Sequence, residues 1–322
     1  MAIPIILRFW LLLIFMIPSI LSSIFCLYYF LVDRTLRKAL NNHVIIFILF
    51  LCLLYNITDI IWLIHYFRTS SSLSSTRIFC LIWVYSDYAS YVSISCLTAW
   101  ASVERHILIF HQNLIATQTK RFLFHYLPLI IFSAYPFIYY IVIFFVLPCK
   151  TVPDYTMPRC GLVNCIYENA SIGLWDGLAN NIIPSFIIVI FSLALIGRVW
   201  YNKYRMGQRF QWRNYKKLTV QLLSISVLYS AFLFPPMLLY TAYSAGLSYD
   251  VGAEFYSSSL FFSYFVTLLI PCVCIVSLPE LRTKLYKVTR MYRRVNPIIS
   301  MRMLPISRLG DGRTARVAPA LS

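Results

Sequence analysis

Two ionisable residues lie in an otherwise apolar stretch, and their spacing suggests what chemistry they could do. Asp87 and Arg105 are 18 residues apart, which on an α-helix is five turns and about 27 Å of rise, so they share one face. Ionisable groups are costly inside a membrane and usually face the protein interior or a wet cavity. A desolvated carboxylate pairs strongly with an ammonium group. Asp87 is therefore a candidate counter-ion for a cationic ligand. The alternatives are a neutral, protonated carboxyl or a structural hydrogen bond to Tyr88, Tyr91 or the region of Asp59.

Long apolar stretches supply the elements that must position these residues. Of the 322 residues, 60% are hydrophobic and 12% are charged, and the mean hydropathy is +0.73, which excludes an ordinary soluble domain. About 20 apolar residues cross a bilayer as a helix, and the first stretch is too long for a signal peptide. We predict an all-α, seven-transmembrane bundle with spans at 9–32, 44–66, 78–103, 122–147, 177–195, 218–243 and 255–278.

The distribution of basic residues predicts the orientation of this bundle. Most of the 28 Lys and Arg residues lie in the segments after the first, third, fifth and seventh spans. Such segments face the cytoplasm, so the N-terminus is expected outside and the basic C-terminal tail inside. Cysteines that can form disulfides fall on the predicted outer side, and sequence alone leaves their pairing open. The sequon at Asn169 lies on that side too, which predicts glycosylation there. The four cysteines on the predicted outer side are Cys80, Cys149, Cys160 and Cys165.

The third span resembles that of the rhodopsin-like G protein-coupled receptors. Cys80 heads the span and Glu104-Arg105-His106 ends it. The step of 25 residues from Cys80 to Arg105 matches the family's spacing between a disulfide cysteine and its Asp/Glu-Arg-Tyr motif. Asp87 falls where amine-binding members carry their ammonium counter-ion. The resemblance covers nearly the whole chain, as a divergent branch.

Two prolines extend the resemblance. Pro236 is similar to the family's proline of the sixth helix, with Phe234 in the place of its Trp. Pro271 is similar to the proline of the Asn-Pro-x-x-Tyr motif, but Ile270 and Cys274 replace the Asn and the Tyr. A receptor-like protein that has lost G protein coupling is therefore an alternative.

The resemblance implies a receptor that converts binding of a small extracellular ligand into activation of a heterotrimeric G protein. Arg105 is expected to pair with Glu104 at rest and to be freed when the bundle opens. The implied ligand-binding residues are Asp87, Tyr91 and Phe234. The implied coupling and activation residues are Glu104, Arg105, His106, Pro236 and Pro271. The expected disulfide cysteines are Cys80, Cys165 or Cys160, and Cys149.

The predicted organisation has three parts. Residues 1–8 form a short extracellular N-terminus, 9–295 form the receptor domain, and 296–322 form a disordered basic cytoplasmic tail. Apolar residues that recur at helical spacing among basic ones after the seventh span predict an interfacial amphipathic eighth helix. The basic, aromatic loop at 198–217 is expected to contact anionic lipid and a G protein rather than nucleic acid.

Other classes of function find less support in the sequence. The five histidines lie on different segments without metal-ligand spacing, and there is no nucleophile motif or phosphate-binding glycine loop, so we predict neither an enzyme nor a metal site. A seven-span transporter or channel is the alternative from another class, although the chain has only 9 glycines and no evident repeat. The expected location is the plasma membrane, as a multi-pass protein without a cofactor.

Overall fold

The structure is a computed structural model that describes residues 3–206, 223–244, 246–248 and 250–295. This part of the chain is helical and contains no β-strand. Six predicted spans overlap long helices and the sixth in chain order, 218–243, overlaps two shorter helical segments, with 218–222 outside the described residues; this confirms the seven-helix bundle. The helices are α1 (Ile5–Val32), α2 (Leu40–Thr69), α3 (Arg77–Phe110), α4 (Gln118–Val146), α5 (170–206), α6 (Leu223–Phe232 and Phe234–Ser244), α7 (Ala253–Ser277) and α8 (Pro279–Val295).

Most of the bundle helices are long and apolar enough to cross a membrane. Five meet this description, and the two halves of α6 make a sixth if they form one span. The remaining helix, α3, has 34 residues, enough for about 51 Å. Its apolar content is lower because it carries many serines, which are mostly buried. Since α3 packs against α2, α4 and α5, these polar side chains face other helices rather than lipid.

The chain divides into two compact units. Helices α1–α7 belong to the unit Met1–Pro279, and the second unit is Glu280–Ser322. The second unit begins with nearly all of α8, which confirms the predicted eighth helix; Leu281, Leu285 and Val288 recur along it every three or four residues. The predicted disordered tail lies outside the described residues. So does 207–217 of the loop predicted at 198–217, whose start is instead helical because α5 continues to Met206.

Wide turns interrupt the regular helices α2, α4 and α5. They lie at Asn56–Ile60, Phe122–Tyr126, Val142–Val146 and Asp176–Ile182. A wide turn inserts an extra residue and rotates the helix that follows, and such turns are frequent at functional sites. Two of them carry fully buried carboxylates, Asp59 in α2 and Asp176 in α5.

Helix α6 is bent by 46° between its two halves. Neither Pro235 nor Pro236 has an N–H group, so the carbonyls of Ala231 and Phe232 lose the donors that a regular helix would supply. The hydrogen bonds resume when Met237 N donates to the carbonyl of Leu233 at 3.2 Å. The bend therefore follows from the proline pair itself.

Candidate functional site

The site is built around Asp87, on the inward face of α3. The residue is only 4% exposed. The hydroxyl of Tyr55 in α2 donates to its Oδ1 at 2.7 Å. Asp87 therefore accepts a hydrogen bond from a tyrosine. The donor is Tyr55 of α2, however, and not Tyr88 or Tyr91 of its own helix.

The second oxygen of Asp87 pairs with an arginine from the loop between α4 and α5. Arg159 Nε contacts Asp87 Oδ2, and the arginine side chain is 19% exposed. Its guanidinium also lies over the ring of Tyr264 in α7, 5.6 Å from the centroid. Burial disfavours the charge of Arg159, but the carboxylates of Asp87 and Asp59 outweigh it, so the pKa of Arg159 lies above its ordinary value. A charged loop residue thus reaches into the bundle.

The backbone that carries this arginine has an unusual conformation. Arg159 and Cys160 have φ angles of 55° and 54°, and Gly161 follows with 68°. A non-glycine residue in this left-handed region costs about 1–2 kcal/mol, so other contacts must hold it. Cys160 is bonded to Cys80 at the start of α3, and its carbonyl accepts from Asp154 N at 2.9 Å. These links fix Arg159 in place above Asp87.

A second carboxylate lies close behind the first. Asp59 is fully buried in the wide turn of α2. The indole Nε1 of Trp83, one turn before Asp87 in α3, donates to its Oδ1 at 2.7 Å. Asp59, Asp87 and Arg159 therefore form one buried cluster of two carboxyl groups and one guanidinium, in which Tyr55 and Trp83 supply neutral hydrogen bonds.

The cluster borders a cavity of about 510 Å³ at the end of the bundle where the disulfides lie. This volume is within the range of small-molecule sites. Its walls hold Asp87 and Arg159, seven tyrosines, and a second arginine, Arg8 of α1. The tyrosines are Tyr55, Tyr66, Tyr88, Tyr91, Tyr240, Tyr256 and Tyr264.

Two of the three residues predicted to bind ligand line this cavity. Asp87 and Tyr91 are both in its wall. Phe234 packs instead against Phe186 of α5, with ring centroids 5.3 Å apart, and α6 contributes Met237 and Tyr240 to the wall. The prolines after Phe234 bend α6 there, so the helix presents its next turn to the cavity.

The loop over the cavity is cross-linked twice. Of the pairings that the sequence leaves open, the structure has Cys80–Cys160 and Cys149–Cys165. Beside the second disulfide, Glu168 accepts from the hydroxyl of Thr151 at 2.7 Å and from loop amides. These hydrogen bonds, the Thr151 hydroxyl first, lower the pKa of Glu168. The covering loop is therefore held at several points.

The opposite end of α3 carries the motif Glu104-Arg105-His106. Glu104 and Arg105 are each 1% exposed. The Glu104 carboxylate contacts Nδ1 of His125 in α4. His125 Nε2 in turn lies 3.0 Å from His43 Nδ1 in α2. His106 Nε2 is 2.8 Å from the carbonyl of Phe191 in α5. The motif thus links α3 to α4 and α5, and His125 extends the chain of contacts to α2.

The two prolines predicted to act in activation are both buried. Pro236 lies in the bent α6, and Pro271 lies inside α7, where its carbonyl accepts a weak bond from Cys26 Sγ at 3.7 Å. Ile270 and Cys274, which replace the motif's Asn and Tyr, are fully buried beside it.

Sequence reasoning missed Arg159 and the histidine pair. A signal for Arg159 existed: it is adjacent to a loop cysteine, and Cys80 precedes Asp87 by two helical turns, so the Cys80–Cys160 pairing would bring the arginine near Asp87. Nothing comparable marked His43 and His125, because the contact depends on how α2 and α4 pack.

Neither a protein-family model nor a curated protein matches the sequence. Among solved structures, the chain is similar to squid rhodopsin, with a TM-score of 0.64 and 15% sequence identity, over 91% of this chain and 88% of that one. At this identity the likeness is one of fold. The chain therefore has the seven-helix fold of the rhodopsin-like G protein-coupled receptors.

Proposed function

We propose that this protein is a receptor that binds a small extracellular ligand in the cavity beside Asp87 and activates a heterotrimeric G protein at the Arg105 end. One observation carries the proposal. A single helix, α3, has a ligand-sized cavity at one end and a buried Glu104-Arg105-His106 motif at the other. The rhodopsin-like fold supports this arrangement.

The bend of α6 supplies the moving part of the proposed mechanism. Because α6 has lost backbone hydrogen bonds at Pro235 and Pro236, it can swing with little further loss. Ligand binding would favour the state in which the Arg105 end of α6 has moved away from α3. Arg105, now 1% exposed, would then meet the G protein.

We place the protein in the plasma membrane with the cavity outside. The basic residues favour this orientation, and so do two disulfides at the cavity end. We also propose Asn169 as a glycosylation site. It is exposed at the start of α5, where its Oδ1 caps Ser171 N at 3.0 Å and leaves the amide nitrogen available.

Nucleotide exchange on a panel of G proteins, without added ligand, tests the proposal. Receptors of this kind have basal activity, so wild-type protein should stimulate at least one G protein. Arg105→Ala should abolish this activity at matched surface amounts, and Lys120→Ala, which removes an exposed cation at the same end, should not. The proposal would be contradicted if the wild-type protein stimulated nucleotide exchange on no G protein, or if Arg105→Ala retained full activity. Ion flux through purified protein would instead favour a transporter or channel.

A further inference from the structure

The carboxylate that would attract a cationic ligand is already neutralised within the protein. Asp87 Oδ1 accepts from Tyr55 at 2.7 Å, and Oδ2 pairs with Arg159. The Asp87 side chain is only 6% exposed. An ammonium ligand could reach it only by displacing Arg159, and that guanidinium would then lose the carboxylate that it contacts. A cation would therefore exchange one ion pair for another and gain little.

The loop is built to keep Arg159 in this position. Arg159 and Cys160 both have the left-handed backbone, and the disulfide ties Cys160 to Cys80 on α3, the helix that carries Asp87. The donor and the acceptor are thus connected through a short covalent path. The disulfide therefore holds the backbone of Arg159 close to Asp87, and Arg159 forms part of the cavity wall.

A second arginine in the wall is differently placed. Arg8 uses Nε to donate to the carbonyl of Ile3 at 3.1 Å. Its guanidinium lies over the rings of Phe261 and Phe67, 5.4 and 6.0 Å from their centroids. Within the described ranges, no carboxylate lies within ion-pair distance of Arg8. Its terminal amino groups therefore remain available for a fork-like contact with an acid group.

The charge and lining of the cavity complete the argument. Its wall contains the guanidinium groups of Arg8 and Arg159 and the carboxylate of Asp87. Arg159 is already occupied by Asp87, with Asp59 behind it, so Arg8 supplies the cation for a ligand. The rest of the wall consists mostly of tyrosine and apolar side chains, which can pack against the aromatic or aliphatic part of a ligand. On the basis of the proposed receptor function, we infer that the ligand is an amphipathic organic anion, with its acid group on Arg8 and its body among the tyrosines.

Three series of matched probes test this inference on the purified full chain. The acids are 4-phenylbutyrate, indole-3-acetate and decanoate. Each is compared with its primary amide and with the primary amine that carries the same aromatic or aliphatic group. Affinity is measured from the concentration dependence of the thermal unfolding midpoint. At least one acid should bind about 10-fold or more tightly than its amide, the scale of one charge-assisted bidentate contact. Its amine should bind most weakly.

Variants of Arg8 and of Arg68, which lies at the same end of the bundle, separate the site from a general effect of charge. Arg8→Gln should reduce the acid-to-amide preference to about 1 while leaving amide affinity unchanged. Arg8→Lys, which keeps the charge but not the fork, should retain part of the preference. Arg68→Gln, which removes an exposed arginine outside the cavity wall, should retain all of it.

The inference is overturned if amines bind tightest, if no acid is preferred over its amide, or if the preference survives Arg8→Gln. Binding is measured without a G protein, so this outcome is independent of the exchange assay. An acid preference without nucleotide exchange would leave the site assignment intact and reject the receptor function. Nucleotide exchange without an acid preference would support the receptor function and reject the assignment of an anion site.

Discussion

The buried pair between Asp87 and Arg159 should stabilise the fold strongly, and a double-mutant cycle measures by how much. Removing one partner of a buried ion pair leaves the other charge uncompensated and costs about 3–5 kcal/mol. Asp87→Asn retains an oxygen that can accept from Tyr55, so its cost should come mainly from stranding Arg159. Arg159→Ala should cost a similar amount, because it strands Asp87.

The loop conformation adds a second expectation. Arg159 has a φ of 55°, which costs a non-glycine residue about 1–2 kcal/mol. Arg159→Gly removes the same guanidinium but relieves this cost. It should therefore be less destabilising than Arg159→Ala by about 1 kcal/mol, in spite of the greater freedom of glycine in the unfolded chain.

The assay is the thermal unfolding midpoint of purified protein in one detergent. With roughly 2 °C per kcal/mol, each single variant should lower the midpoint by about 6–10 °C. Asp87→Asn combined with Arg159→Ala should lower it no further than either change alone, because neither member of this pair is then left charged without the other. Lys150→Ala, which removes an exposed cation of the same loop, should change it by less than about 1 °C. Additive single effects, or equal losses for Arg159→Ala and Arg159→Gly, would refute the reasoning.

Three further predictions concern other contacts. Glu104→Gln weakens the contact with its histidine partner and should destabilise the protein by about 1–3 kcal/mol and change basal nucleotide exchange; unchanged stability would show that the contact carries no energy. A Cβ at Gly177 would lie 2.6 Å from Tyr240 Oη, so Gly177→Ala should displace that ring and weaken binding of a cavity probe several-fold, whereas Gly197→Ala, with nothing within 4 Å, should not. The lowered pKa of Glu168 means that its contacts stabilise the loop above the ordinary carboxyl pKa and are lost as pH falls through the folded value. The hydrogen-exchange protection of loop amides, relative to their intrinsic exchange rates, should therefore fall in acid, and Glu168→Gln should remove that pH dependence.

The helices were predictable because their signals are local. A run of about 20 apolar residues predicts a span independently of the rest of the fold. Among the described residues, each predicted range overlaps a helix. The ends were less predictable: α5 continues to Met206, past the charged Arg198 at which the sequence suggested a loop. Charge does not end a helix when the residues beyond it still favour one.

The candidate site was only half predictable for a related reason. Periodicity of 3.6 residues places Asp87 and Arg105 on one buried face of α3, and both are buried. The same rule does not hold across the wide turn of α2 that carries Asp59, because that turn departs from a period of 3.6 residues. It also says nothing of Phe234, whose orientation depends on the bend in α6.

The sequence by itself determined that this protein is a bundle of membrane-spanning helices with one strongly basic side and a carboxylate in its third span. Hydropathy, charge and helical spacing are properties of residues near one another in the sequence, so they can be determined without knowledge of the fold. Only the tertiary structure decided that Arg159 neutralises Asp87, that Cys80 pairs with Cys160, and that Arg8 lines the same cavity. These contacts join residues far apart in the chain, and they depend on the path of a loop and the packing of helices. The expected charge of the ligand changes sign for that reason.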